Sequence, residues 1–125
     1  MPWKASEYTC WTTDGPKPVR GFVNGTFGID QRDNLKWPAR KKAWAVTHLG
    51  TGYAAAFVEG AQSVAQSFAD KLTNAADWQL DKPEDARSRS DLVRPIFRDH
   101  DSILLASSDI GGLRPAFRYP EEADQ

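Results

Sequence analysis

The clearest alternation of apolar and polar positions runs from residue 44 to residue 72, WAVTHLGTGYAAAFVEGAQSVAQSFADKL. Trp44, Val46 and His48 fall on one side of an extended chain, and Ala45, Thr47 and Leu49 on the other. Aromatic and β-branched residues at a period of two predict a strand, half-buried on a pleated surface. Gly50-Thr51-Gly52 accepts positive φ at low steric cost, so a tight reversal is expected there. Residues 53–58 return as a second strand, with Tyr53, Ala55 and Phe57 alternating against Ala54, Ala56 and Val58. Alanine is a better helix than strand former, and its small side chain suits a place where a helix lies close to the sheet. After Glu59-Gly60 the period lengthens. Ala61, Val64, Ala65, Phe68, Ala69 and Leu72 form one apolar stripe, with Gln62, Ser63, Gln66, Ser67, Asp70 and Lys71 mostly opposite. That spacing predicts an amphipathic helix over about 61–76.

The flanks are patterned less regularly. Residues 8–12 read as a short strand, which Pro16 and Pro18 are expected to end. Asn24-Gly25 between two apolar runs predicts a hairpin with arms over 19–23 and 26–30, the competing reading being one Gly-bent strand over 21–29. Residues 31–43, QRDNLKWPARKKA, read as a polar connection, a long hairpin loop if 26–30 pairs with 44–49. Trp78 is expected to fold back onto the core. Proline and acids at 81–85 predict a short helix over 83–90. Residues 91–94 start a further turn that Pro95 interrupts, and 102–106 read as a buried strand. Gly111-Gly112 marks a loop, and an acidic tail over about 119–125 is expected to be disordered. The fold class predicted is α+β: an antiparallel sheet of four or five strands with one main amphipathic helix on one face. No repeat or internal boundary is visible, so residues 1–125 are expected to form a single domain.

Composition narrows the classes without choosing a function. A chain of 125 residues can bury a core, and 40% apolar with 26% charged residues is ordinary for a soluble protein. No run approaches the ~18 apolar residues of a membrane span, and the N-terminus lacks a leader's basic and apolar regions. A cytoplasmic protein with no membrane partner is therefore expected. The single cysteine, Cys10, is consistent with that, because alone it forms no intrachain disulfide or cysteine-based metal site. A net charge of −1 gives no global attraction to nucleic acid. Five tryptophans are many for this length, and tryptophan is enriched at binding hot spots.

Candidate chemistry is sparse. Trp37 with Lys36, Arg40, Lys41 and Lys42 makes a basic stretch with an aromatic ring, the composition of a partner-binding loop. Its plainer reading is a solvated connection. Arg87, Arg89, Arg94 and Arg98 are interspersed with Asp85, Asp91, Asp99 and Asp101, which favours internal ion pairs. Asp99-His100-Asp101 offers ligand atoms, but adjacent residues seldom converge on one ion. His48 in mid-strand reads as a hydrogen-bonded structural histidine, and Cys10 as a small buried hydrophobe. Asp14 and Asp30 lie near strand ends. No nucleophile elbow, phosphate loop or GxGxxG is present. No catalytic residue, metal ligand or cofactor is expected.

The string Trp44-Ala45-Val46-Thr47-His48-Leu49-Gly50-Thr51-Gly52, with the alanine-rich helix after it, resembles a segment of small uncharacterised phage and mobile-element proteins. The resemblance covers residues 44–72 and implies an accessory protein, one such role being inhibition of a host defence complex. Strands followed by a helix are also similar in order to the arm-binding module of phage integrases, whose sheet enters a DNA groove. Here Ala45, Thr47, Tyr53 and Ala55 put no arginine or lysine on such a face to read bases. The leading expectation is a small non-catalytic interaction protein whose partner is another protein or protein complex. The alternatives are a nucleic-acid-binding accessory protein and, third, a small hydrolase or nuclease built from scattered Asp and His. The sequence leaves the oligomeric state open.

Overall fold

A two-residue turn at Gly25-Thr26 fixes the register from which the sheet is built. The computed structural model describes residues 3–12, 15–31, 43–52, 54–79 and 90–104. Among them are five strands, β1 (Lys4–Thr12), β2 (Gly15–Asn24), β3 (Phe27–Asp30), β4 (Ala43–His48) and β5 (Ala54–Glu59). Two helices follow, α1 (Gln62–Ala75) and α2 (Ser90–Asp99), then a 3₁₀ turn at Asp101–Ile103. The strands pair antiparallel in chain order, β1-β2-β3-β4-β5, so the α+β expectation holds at the upper strand count.

The predicted hairpin is present, shifted by one residue. Asn24 pairs with Phe27, and Gly25 has φ 68° while no described non-glycine residue has positive φ. Positive φ at the first turn position alone is the pattern of a type II′ turn, which glycine there permits. Asn24 is thus the last residue of β2, and its Nδ2 donates to Asp70 Oδ1 of α1 at 3.2 Å.

Pro16 and Pro18 do not end a strand. They lie inside β2, opposite Trp11 and Thr9 of a β1 that is nine residues long. Proline cannot donate to a ladder, but both prolines occupy the same parity. The Asn24↔Phe27 pair closes a two-residue turn, so β2 turns its even-numbered backbone groups toward β3. β3 pairs only with Phe22, Val23 and Asn24, so Pro16 and Pro18 face a side where β3 has already stopped.

The apolar stripe of α1 packs where predicted. Ala65, Phe68, Ala69 and Leu72 are buried against Phe27, Ile29, Trp44, Val46 and Val58, with Val93 and Phe97 of α2 in the same cluster. Ala61 is the exception, an exposed residue at the cap position that makes no side-chain capping bond. After the helix, Trp78 folds back as expected. Its indole donates to the Leu72 carbonyl at 2.7 Å, and its ring meets Phe27 edge-on with centroids 5.1 Å apart.

Three further expectations need correction. All six residues of β4 are buried, so the strand is covered on both faces rather than one. On the face away from α1, Tyr8 of β1 reaches across to β3, where its ring fills the space above Gly28. Pro95 does not interrupt the chain's second helix, since α2 runs through it. A proline at that point leaves the Asp91 carbonyl without its helical donor, but residue 95 is exposed and water reaches that face. Of the buried strand expected over 102–106, Ser102 and Ile103 lie in a 3₁₀ turn and Leu104 makes one antiparallel bridge to Val58, while residues 105 and 106 lie outside the described residues. Ser102, Ile103 and Leu104 sit where α2 ends, and the His100 carbonyl accepts from the Ile103 N–H at 3.0 Å, closing the turn. The expectations for Tyr53, for the helix over 83–90 as far as residue 89, for Gly111-Gly112 and for the acidic tail lie outside the described residues, and Ser90 belongs to α2.

Candidate functional site

The sequence singles out Lys36, Trp37, Arg40, Lys41 and Lys42, all of which lie outside the described residues. Their attachment points are described. β3 ends at Asp30 and β4 begins at Ala43, and Asp30 pairs with Ala45, so the connection leaves one end of the sheet. The β1–β2 hairpin runs past that same end, because residues 15–20 of β2 continue beyond the last residue of β3. The topology therefore anchors the basic connection beside a projecting two-stranded arm.

The arm has two unlike edges. On the β2 side, Pro16 and Pro18 remove two N–H groups where a further strand would bind. On the β1 side, the parity set by the Asn24↔Phe27 turn directs the backbone groups of Ala5, Glu7, Thr9 and Trp11 outward. Among the described residues β1 pairs with β2 alone. Lys4, Ala5, Glu7 and Thr9 are exposed, as are Pro16, Lys17, Pro18 and Arg20 across from them. Arg20 Nε lies 3.8 Å from Glu7 Oε2, a solvent-exposed pair worth little to stability. Among the described residues the site is thus a strand edge with no further strand on it, where Ala5, Glu7 and Thr9 are exposed.

Several of the described side chains able to do chemistry are engaged in the scaffold. The Thr51 N–H donates to His48 Nδ1 at 3.1 Å, which makes that nitrogen an acceptor. Nε2 then carries the proton and donates to the Trp78 carbonyl at 2.8 Å. His48 therefore ties the β4–β5 turn to the segment after α1, as a structural histidine. Asp30 is buried and accepts from the Tyr8 hydroxyl at 2.7 Å. His100 Nδ1 lies 2.8 Å from the Ile96 carbonyl, so it donates, leaving Nε2 to accept from Lys71 Nζ at 3.0 Å. Arg94 pairs with Asp91 at 2.9 Å, one of the internal ion pairs expected in this region, while Arg87 and Arg89 lie outside the described residues. Cys10 is buried, as read from its neighbours. Among the described residues no group of three or more His, Cys, Asp or Glu comes together as a metal site.

Ala45, Thr47 and Ala55, the positions that an integrase-like module would turn toward DNA, are fully buried. No described helix is long and apolar enough to cross a membrane. Sequence reasoning missed the open β1 edge because it read the prolines as a strand end. Their two-residue spacing, which keeps both on one side of a strand, was the available signal. No family model, curated protein or solved structure matches the chain.

Proposed function

We propose that the protein acts without catalysis, by binding another protein through the β1–β2 arm. The partner adds an extended segment to the β1 edge, and the basic connection at the same end of the sheet contributes a second contact. The observation that carries this reading is the asymmetry of the arm. Prolines block one edge, while the other presents outward backbone groups from Ala5 to Trp11 with exposed, small side chains beside them. Strand addition draws affinity from main-chain hydrogen bonds and selectivity from alternate side chains. An edge left open beside a blocked one is what that mode requires. The finer role, inhibition of a host defence complex, rests on the resemblance of residues 44–72 to phage and mobile-element proteins.

The test is Thr9→Pro. It removes one outward N–H and leaves the β1–β2 ladder its inward donors, so the melting temperature should stay close to wild type. Recovery of the partner captured from host lysate by the wild-type protein should be lost. Full retention of that partner by a folded Thr9→Pro protein counts against edge binding. A wild-type dimer that Thr9→Pro dissociates would make the partner a second copy of this chain.

A second reading has its own observation. Lys17 and Arg20 are exposed on a two-stranded ribbon, an element that fits the DNA major groove. It requires binding that weakens steeply as salt rises.

A further inference from the structure

We propose that Asn24 is a site of spontaneous covalent modification, its amide converting to a carboxylate, and that Asp70 governs both the rate and the consequence. Asn24 immediately precedes Gly25 at the β2–β3 turn. Asparagine is among the thermally labile residues, and the reaction begins with attack by the following backbone nitrogen on the side-chain carbonyl carbon. A glycine in the following position hinders that approach least. Gly25 is exposed, and nothing lies within 4 Å of the point a Cβ would occupy there.

The chemistry balances with water alone. The Gly25 nitrogen gives its proton to solvent base and bonds to Asn24 Cγ. The Cγ–Nδ2 bond breaks as Nδ2 takes a proton from solvent and leaves as ammonia, closing a five-membered imide. Water then opens the ring at one of its two carbonyls. One opening yields aspartate, the other isoaspartate, in which the main chain runs through the former side chain.

Asp70 makes the site specific to this fold. Its Oδ1 holds Asn24 Nδ2 at 3.2 Å, and its Oδ2 accepts from the Trp3 indole at 3.4 Å. The first contact ties the Asn24 amide to α1, and the amide must leave that tie to close the ring, which slows the reaction. After conversion an oxygen replaces the donor, and two carboxylates face each other where a hydrogen bond had been. The clamp between α1 and the start of the β1–β2 arm then opens. Isoaspartate also adds a main-chain atom beside a two-residue turn, disturbing the Asn24↔Phe27 pair. This inference stands on the Asn24–Asp70 contact and not on the partner reading above.

The experiment ages the purified protein in warm, mildly alkaline buffer and follows the peptide containing Asn24 by mass spectrometry. The expected result is the mass gain of amide-to-acid conversion at Asn24, with both aspartyl and isoaspartyl forms, arising several-fold faster in Asp70→Ala. Asn24→Asp should melt several degrees below wild type. Asn24→Asp combined with Asp70→Asn, which restores one donor and one acceptor in exchanged positions, should recover most of that loss. An Asn24 that stays intact through ageing overturns the site. An Asn24→Asp variant as stable as wild type, or a double variant no better than the single one, overturns the role of Asp70. Conversion no faster in Asp70→Ala removes its control of the rate.

Discussion

The hydroxyl of Tyr8 donates to the carboxylate of Asp30 at 2.7 Å, across an intervening strand, and the tyrosine ring lies above Gly28. That contact covers part of β3 on the sheet face turned away from α1. Phe27 and Ile29 face α1, while Gly28 and Asp30 between them face the tyrosine from the outer hairpin. A side chain at residue 28 would occupy the ring's place.

Gly28→Ala should therefore destabilise the fold. The added Cβ would stand 2.7 Å from Tyr8 Cζ and 3.0 Å from Leu49 Cδ2. The ring is held by its bond to Asp30, so relief is costly, and a loss of roughly 1–3 kcal/mol is expected in urea denaturation. The cost should shrink in a Tyr8→Ala background, because the two residues touch and their effects should not add. Equal cost in both backgrounds would show that the clash is relieved elsewhere.

Phe68→Ala tests the helix face. Phe68 is fully buried in the sheet-facing stripe, and its ring centroid lies 5.7 Å from that of Phe97 and 5.3 Å from that of His100. Truncation should cost about 3–5 kcal/mol. A measured loss below about 1 kcal/mol would place the ring outside the core.

His48 gives a prediction that separates hydrogen bonding from packing. Its ring sits edge-on to Phe27 at 5.9 Å and tilted against Trp78 at 6.1 Å, while Nε2 donates to the buried Trp78 residue's carbonyl. His48→Phe keeps an aromatic ring but strands that carbonyl, which should cost about 1–3 kcal/mol. His48→Ala should cost more, by the lost ring contacts as well. Nitrogen NMR of the wild type should report the proton on Nε2 and a bare Nδ1. The opposite tautomer would contradict donation by the Thr51 N–H.

Elements whose pattern comes from their own side chains are legible in the amino-acid sequence. The stripe from Val64 to Leu72 has one period and one partner surface, so its helix is readable, and Trp44, Val46 and His48 announce β4. What escapes reading depends on a neighbour. Pro16 and Pro18 look like strand breakers unless it is known that β3 stops at Asp30, leaving their side of β2 unpaired. Ala45 and Thr47 are too small and too mild to signal that their face of β4 is buried as well. Pro95 is tolerated because the face it occupies is exposed, a property of α2's docking rather than of the local sequence. The candidate site divides the same way. Composition marks Trp37 and its basic neighbours, whereas the open β1 edge exists only once the register is known.

The last prediction sets these two surfaces against each other. Arg40, Lys41 and Lys42 lie in the connection between β3 and β4, and if that connection is solvated, reversing all three to glutamate should leave stability within about 1 kcal/mol. If strand addition at β1 supplies the affinity, the reversal should slow association with the partner while the complex, once formed, dissociates at nearly the wild-type rate. Rim charges act mainly on encounter. Trp37→Ala should then weaken binding by about 2 kcal/mol or more if the ring is a central anchor, and chiefly through faster dissociation. Thr9→Pro should act on dissociation as well, because main-chain hydrogen bonds form only after docking. The measurement is surface-immobilised kinetics with the captured partner, run at two salt concentrations. Salt sensitivity confined to the association rate fits protein binding through the edge. A tight complex between the wild-type protein and bare DNA or RNA, steeply salt-dependent and abolished by the charge reversal, would move the function to nucleic acid. A partner indifferent to the charge reversal and Trp37→Ala, but lost with Thr9→Pro, would reduce residues 31–43 to a connection and leave the β1 edge as the whole site.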